Sequence, residues 1–65
     1  MHLFDVVALV HDLPEYGLKA GAEGTIIEIY ERPEPAYEVE FSDDDGATIA
    51  TVALPADRLV PAGGS

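Results

Sequence analysis

Three glutamates of this chain are interleaved with apolar residues. Glu28 sits in Ile26-Ile27-Glu28-Ile29-Tyr30, and Glu38 and Glu40 alternate within Tyr37-Glu38-Val39-Glu40-Phe41. Three more acids, Asp43-Asp44-Asp45, run consecutively into Gly46. Carboxylates in this density have three chemistries open to them: proton exchange as an acid–base pair, ligation of a divalent cation, or presentation of a negative field to a cationic partner. An acid–base pair needs two carboxyl groups flanking a cleft, in environments that separate their proton affinities. A chain of 65 residues offers no obvious cleft, and these acids fall at solvent-facing strand positions. No enzymatic activity and no catalytic residue are expected.

Cation binding is equally poorly supported. An EF-hand spreads its ligands over about twelve residues and ends on a bidentate glutamate, whereas Gly46 is followed by Ala47-Thr48-Ile49-Ala50. The acidic run therefore reads as a solvated hairpin tip. His11-Asp12 looks like a metal-dependent phosphohydrolase dipeptide, but such a site needs further His and Asp ligands. The only other histidine is His2, near the N-terminus. Gly21-x-x-Gly24 leads into a strand rather than a helix, with no Lys-Ser/Thr pair behind it, so it is not a phosphate cradle. No metal and no cofactor are expected.

Docking remains. Thirteen acidic side chains face three basic ones (Lys19, Arg32 and Arg58), for a formal charge of −10. Such a field repels phosphate backbones and anionic lipid and attracts cationic protein surfaces, so no nucleic-acid and no membrane partner is expected. Stacking platforms for single-stranded nucleic acid also need basic grooves and free aromatics. Of the five aromatics here, at least Tyr37 and Phe41 are expected in the core. The chain has no cysteine, which fits a reducing cytoplasm. Its longest apolar run, Val6–Val10, is far short of the ~20 residues that span a bilayer, and the N-terminus lacks the features of a secretory signal.

The elements that would position these acids are short strands. A hydrophobic content of 48% is that of a folding domain, though a chain of this size buries only about 60% of its unfolded surface. Asp5–Val10 is the first strand candidate, followed by a long loop from His11 to about Ala22 with Leu13, Tyr16 and Leu18 as apolar anchors. Gly24–Tyr30 is the clearest strand, introduced by glycines that allow positive φ and close backbone approach. Pro33 and Pro35 stiffen the next loop. Ala36–Phe41 alternates with period two, putting Tyr37, Val39 and Phe41 on one face and Glu38 and Glu40 on the other. Asp45-Gly46 marks a hairpin leading to a fourth strand at Ala47–Leu54. Pro55-Ala56-Asp57 turns the chain as one 3₁₀ turn before a last strand at Arg58–Val60. The expectation is one all-β domain over residues 1–62, a small five-stranded barrel closed on itself to protect its strand edges. Gly63-Gly64-Ser65 is expected to be a flexible tail.

The order of a strand, a long loop, Gly21-x-x-Gly24-Thr25-Ile26-Ile27, Tyr37-Glu38-Val39-Glu40-Phe41 and Leu54-Pro55-Ala56-Asp57-Arg58-Leu59 resembles SH3-like barrels. More closely, Asp12-Leu13-Pro14-Glu15-x-Gly17-Leu18-Lys19-Ala20-Gly21 with Leu54-Pro55-Ala56-Asp57 resembles a family of short bacterial proteins, domain of unknown function four-nine-two-six. The resemblance runs from about Leu3 to Pro61. It implies a stand-alone cytoplasmic SH3-like barrel, in some cases encoded beside another small protein in the manner of toxin–antitoxin or immunity pairs. It carries over no catalytic residues.

If Ile27 and Ile29 point inward, Glu28 joins Glu38 and Glu40 on the outer face, and any local register without a bulge sets it opposite one of them. Two readings of that face stand: solubility with discouragement of edge pairing, or a docking surface for a basic protein. On the docking reading the chain is a non-enzymatic acidic module, the antitoxin or immunity partner of a neighbouring gene product. Its protein-binding residues would be Glu28, Tyr30, Glu38, Glu40, Asp43, Asp44 and Asp45. The alternative is an accessory subunit that self-associates or packs on a larger enzyme through apolar residues outside the core, such as Leu3, Phe4 and Ile26.

Overall fold

The alternating segments resolve into five strands in a computed structural model that describes residues 1–62. They are β1 (Val6–Leu9), β2 (Glu23–Tyr30), β3 (Ala36–Ser42), β4 (Thr48–Leu54) and β5 (Leu59–Pro61). The tail expected at 63–65 lies outside the described residues. All pairings are antiparallel, in one sheet of order β4-β3-β2-β1-β5. A 3₁₀ turn at Ala56–Arg58 precedes β5, one residue later than expected. A second, at Pro14–Tyr16, lies within the long loop, with Pro14 presetting φ at its start and Gly17 ending it at φ 69°.

Every strand contributes to a single core. Val7 and Leu9 of β1, Ile26 of β2, Val39 and Phe41 of β3, Val52 and Leu54 of β4, and Leu59 of β5 are all buried. The long loop adds Leu13 and Leu18, bridged to each other through their backbones. Tyr16, expected as a third anchor, is exposed. It sits in the 3₁₀ turn, which buries none of its residues. The Asp12 carboxylate braces the same loop by accepting the Ala20 N–H at 2.8 Å, a structural role for half of the His11-Asp12 pair.

The closed barrel does not form. β5 is three residues long and its pairing is with β1, so β4 and β5 each keep a free edge and the ladder stays open. All-β class, strand number and the 3₁₀ turn before the last strand are as expected; closure is not.

The two glycines ahead of β2 serve different needs. Gly21 has φ +91° and open space around it, so its freedom is conformational. Gly24 stands opposite Phe41, and a Cβ there would lie 2.7 Å from Val39 Cγ1, 2.8 Å from the Glu40 carbonyl oxygen and 2.9 Å from Phe41 Cδ1. Its role is close approach, which seats β2 against β3 over the core.

Two residues beyond Gly24 the register breaks. Ile26 pairs with Val39 but Glu28 pairs with Glu38, leaving Ile27 as an extra residue in a β-bulge. This reverses part of the expected facing. Ile26, placed outside the core by simple alternation, is fully buried, while Ile27 is exposed. Ile29 returns to the core side opposite Tyr37, but near the end of the strand it too is exposed. The reason is that Gly24 fixes Ile26 inward, and one unpaired residue is then needed to bring Glu28 back out.

Candidate functional site

The outer face of β2, β3 and β4 assembles four of the seven residues singled out. Glu28 lies directly opposite Glu38 across β2 and β3. Glu38 has Ala53 on its other side, and Glu40 lies between Thr25 and Thr51. Strand alternation puts these side chains on the face away from Val39 and Phe41. Tyr30, two residues after Glu28, donates its hydroxyl to Glu38 Oε1 at 3.0 Å. That bond to Glu38 holds the Tyr30 phenol above its ordinary value of 10.0, helped by partial desolvation and by the nearby Glu38 and Glu28 charges. Glu40 Oε2 faces Thr48 Oγ1 at 3.4 Å, a long and weak bond.

The Asp43–Asp45 tip divides by role. Asp43 Oδ1 accepts the backbone N–H groups of Asp45 at 2.9 Å and Ala47 at 3.0 Å, and the Asp43 carbonyl accepts Gly46 N–H at 3.0 Å. Asp43 is thus committed to folding the turn, in the manner of an Asx motif. Gly46 supplies the positive φ of 84° that the turn needs. Asp44 and Asp45 are exposed at the tip with their carboxylates free among the described residues.

The charge of the outer face is not neutralised locally. Among the described residues the one contact at ion-pair distance is His2 Nδ1 to Asp5 Oδ2, at 3.6 Å. Lys19 lies in the long loop, Arg32 in the β2–β3 loop and Arg58 in the second 3₁₀ turn, none of them paired with a carboxylate of the described residues. No group of three or more His, Asp or Glu residues capable of holding a metal ion is found among the described residues. A shallow depression of about 230 Å³ lies elsewhere, between Met1, Asp5, Val6, Val7, Pro61 and Ala62, and contains a single carboxylate.

The outer face of β1 and β5 is different in kind. Val6 and Val60 are exposed there, and Leu3 and Phe4, just ahead of β1, are exposed as well. Phe4 is 72% exposed and adopts φ 69°, the left-handed region an aromatic residue seldom occupies. Its backbone N–H is fixed to the Ile26 carbonyl at 2.7 Å. Leu3 and Phe4 thus lie outside the core, as expected. Ile26, named with Leu3 and Phe4 as a contact residue, cannot serve, because it is buried.

No helix among the described residues is long and apolar enough to cross a membrane. The family model described as Domain of unknown function (DUF4926) matches residues 3–61. No curated protein and no solved structure matches the chain.

Proposed function

For this chain, which belongs to the domain-of-unknown-function family DUF4926, we propose the role of a non-enzymatic protein-binding module that docks a basic partner on the acidic face of β2–β4. We place it in the cytoplasm as the antitoxin or immunity half of a pair with a neighbouring gene product. The observation that carries this reading is the direct opposition of Glu28 and Glu38, with no lysine or arginine at ion-pair distance among the described residues. Like charges on one rung cost about 0.2–1 kcal/mol relative to a neutral pair. A face tuned only for stability would set a cation across from Glu38. A face kept for a cationic partner recovers that cost on binding and speeds encounter through its field.

The test is copurification with the product of the adjacent gene, at low and at physiological salt. The expected result is a complex that weakens as salt rises and again when Glu28, Glu38 and Glu40 are changed to glutamine. Absence of a complex at both salt concentrations overturns the proposal.

A second reading is favoured by the exposed apolar residues Leu3, Phe4, Val6 and Val60. On this reading the chain is an accessory subunit that self-associates or packs on a larger enzyme. A homo-oligomer whose mass is insensitive to salt, and which dissociates in Phe4→Ser, would select it over the first.

A further inference from the structure

The two free edges of the sheet are unlike. β5 offers three residues, and Pro61 has no N–H to donate. β4 offers seven, Thr48–Leu54, with no charge and no proline among them. Edge strands are ordinarily guarded against pairing by lysine, proline, an inward charge or a bulge. β4 has only a register shift beside its hairpin end, between the Phe41–Ala50 and Ser42–Thr48 pairs, which leaves Ala50–Leu54 regular. An uncharged edge is conspicuous in a chain with thirteen acidic and three basic residues.

The direction of its free backbone groups follows from bonds two strands away. Ile26 donates its N–H to the Asp5 carbonyl and accepts the Phe4 N–H, so its peptide groups turn toward β1. Hydrogen-bonded and non-bonded pairs alternate along an antiparallel ladder. Thr25 and Glu40 therefore bond across β2 and β3, while Val39 and Val52 bond across β3 and β4. The N–H and C=O groups of Thr51 and Ala53 are left pointing at the open edge. Their side chains share the outer face with their rung partners Glu40 and Glu38.

We infer that the β4 edge takes up an extended segment of the basic partner as a sixth, antiparallel strand, with lysine or arginine at alternate positions. Backbone bonds to Thr51 and Ala53 supply the register. The residues paired with them lie on the acidic face, about two strand spacings, or ~10 Å, from the Glu40 and Glu38 backbones. An extended basic side chain crosses the small Thr51 and Ala53 to meet those carboxylates. A second copy of this chain does not fit as occupant, because pairing two β4 edges would abut two faces of the same negative sign on chains of charge −10 each. The inference rests on the acidic-face reading above and specifies how the partner engages it.

The probe is the capped heptapeptide Thr-Lys-Val-Lys-Val-Lys-Thr, with two relatives of equal charge. One is N-methylated on the lysine amides, which face β4 in an added antiparallel strand; the other is N-methylated on the valine amides, which face away. Binding is measured at low salt, with hydrogen exchange at the Thr51 and Ala53 amides as the local readout. The expected result is protection of both amides and a loss of affinity of about tenfold or more on lysine methylation alone, since those N–H groups supply the edge bonds. Equal binding by all three peptides overturns the edge while leaving the acidic face intact, and any other ranking likewise overturns antiparallel addition. No binding by the unmethylated peptide removes the acidic-face reading along with the edge. Concentration-dependent protection of Thr51 and Ala53 without peptide overturns the inference in favour of a second copy.

Discussion

Glu28 stands directly opposite Glu38 across β2 and β3, two carboxylates on one rung without a cation at ion-pair distance among the described residues. Each accepts one donor: the Tyr30 hydroxyl donates to Glu38 and the Ile29 N–H to Glu28 Oε1 at 3.2 Å. Like charges facing each other on one rung disfavour folding by about 0.2–1 kcal/mol, and the same pair presents negative charge on the outer face. Stability and binding should therefore respond to it in opposite directions.

Glu28→Gln removes the repulsion while keeping size and shape. Stability should rise by about 0.2–1 kcal/mol at low ionic strength, and the gain should shrink as salt screens the pair. Urea denaturation at two salt concentrations measures this. The same variant should bind a basic partner less tightly. An unchanged midpoint at both salts would mean that the two carboxylates diverge into solvent.

Tyr30 provides a pH signature. Its phenol binds the proton more tightly in the folded state than at its ordinary 10.0. The stabilising contribution is thus present below the unfolded value and lost as pH rises through the higher folded value. Of the three tyrosines, Tyr30 should ionise later than a free phenol in an ultraviolet titration. Glu38→Gln should move it back toward 10.0, because the carboxylate that accepts the phenol proton, and with it the Glu38 charge, is gone. A Tyr30→Phe protein that still shows the delayed ionisation would refute the assignment.

Gly24 and Gly21 should differ on replacement by alanine. At Gly24 the added methyl meets Val39, Phe41 and the Glu40 carbonyl, all below 3 Å. Overpacking of this kind costs about 1–3 kcal/mol or more, a large share of what a small domain possesses. At Gly21 the methyl meets nothing, and the cost is only that of holding alanine at positive φ, about 1–2 kcal/mol. Thermal unfolding of the two variants ranks them. Equal or reversed costs would contradict the close-approach role of Gly24.

The Asp43–Asp45 run should come apart under alanine substitution. Asp43→Ala leaves the Asp45 and Ala47 N–H groups without their acceptor, at a cost of about 1 kcal/mol and with faster exchange at both amides. Asp44→Ala and Asp45→Ala should stay within about 0.5 kcal/mol of the parent. If all three behave alike, the turn does not depend on Asp43.

The fold was largely legible because its signals are local. Period-two alternation marked β3 with Tyr37, Val39 and Phe41 on one face, and Asp45-Gly46 marked the hairpin that follows. Pro55-Ala56-Asp57 marked the turn before the last strand. The orientation of β2 was not legible. Ile26, Ile27 and Ile29 are equivalent as letters, and which one is buried depends on how closely Gly24 approaches Phe41 across the ladder. Closure was not legible either, since it turns on whether β4 and β5 meet across the far side of the sheet. Of the site, Phe4 outside the core was expected, and so was Glu28 opposite Glu38 or Glu40, though from a register without a bulge and with Ile27 inward; the bulge that sets the Glu38 rung and the direction of the β4 edge emerge only from paired backbone geometry.

The bulge at Ile27 acts on β2 as a frame correction. Ile26 faces in, and by parity Glu28 would face in as well, a carboxylate aimed at the core. One uncounted residue shifts the parity and moves that charge to the other side of the sheet. Composition, net charge and length are therefore poor descriptors of this surface. A relative that lost or gained one residue between Gly24 and Glu28 would keep almost the same charge and forfeit the rung with Glu38. Two homologues alike in acidity could thus present quite different faces, and the spacing from Gly24 to Glu28 is the character by which to sort them.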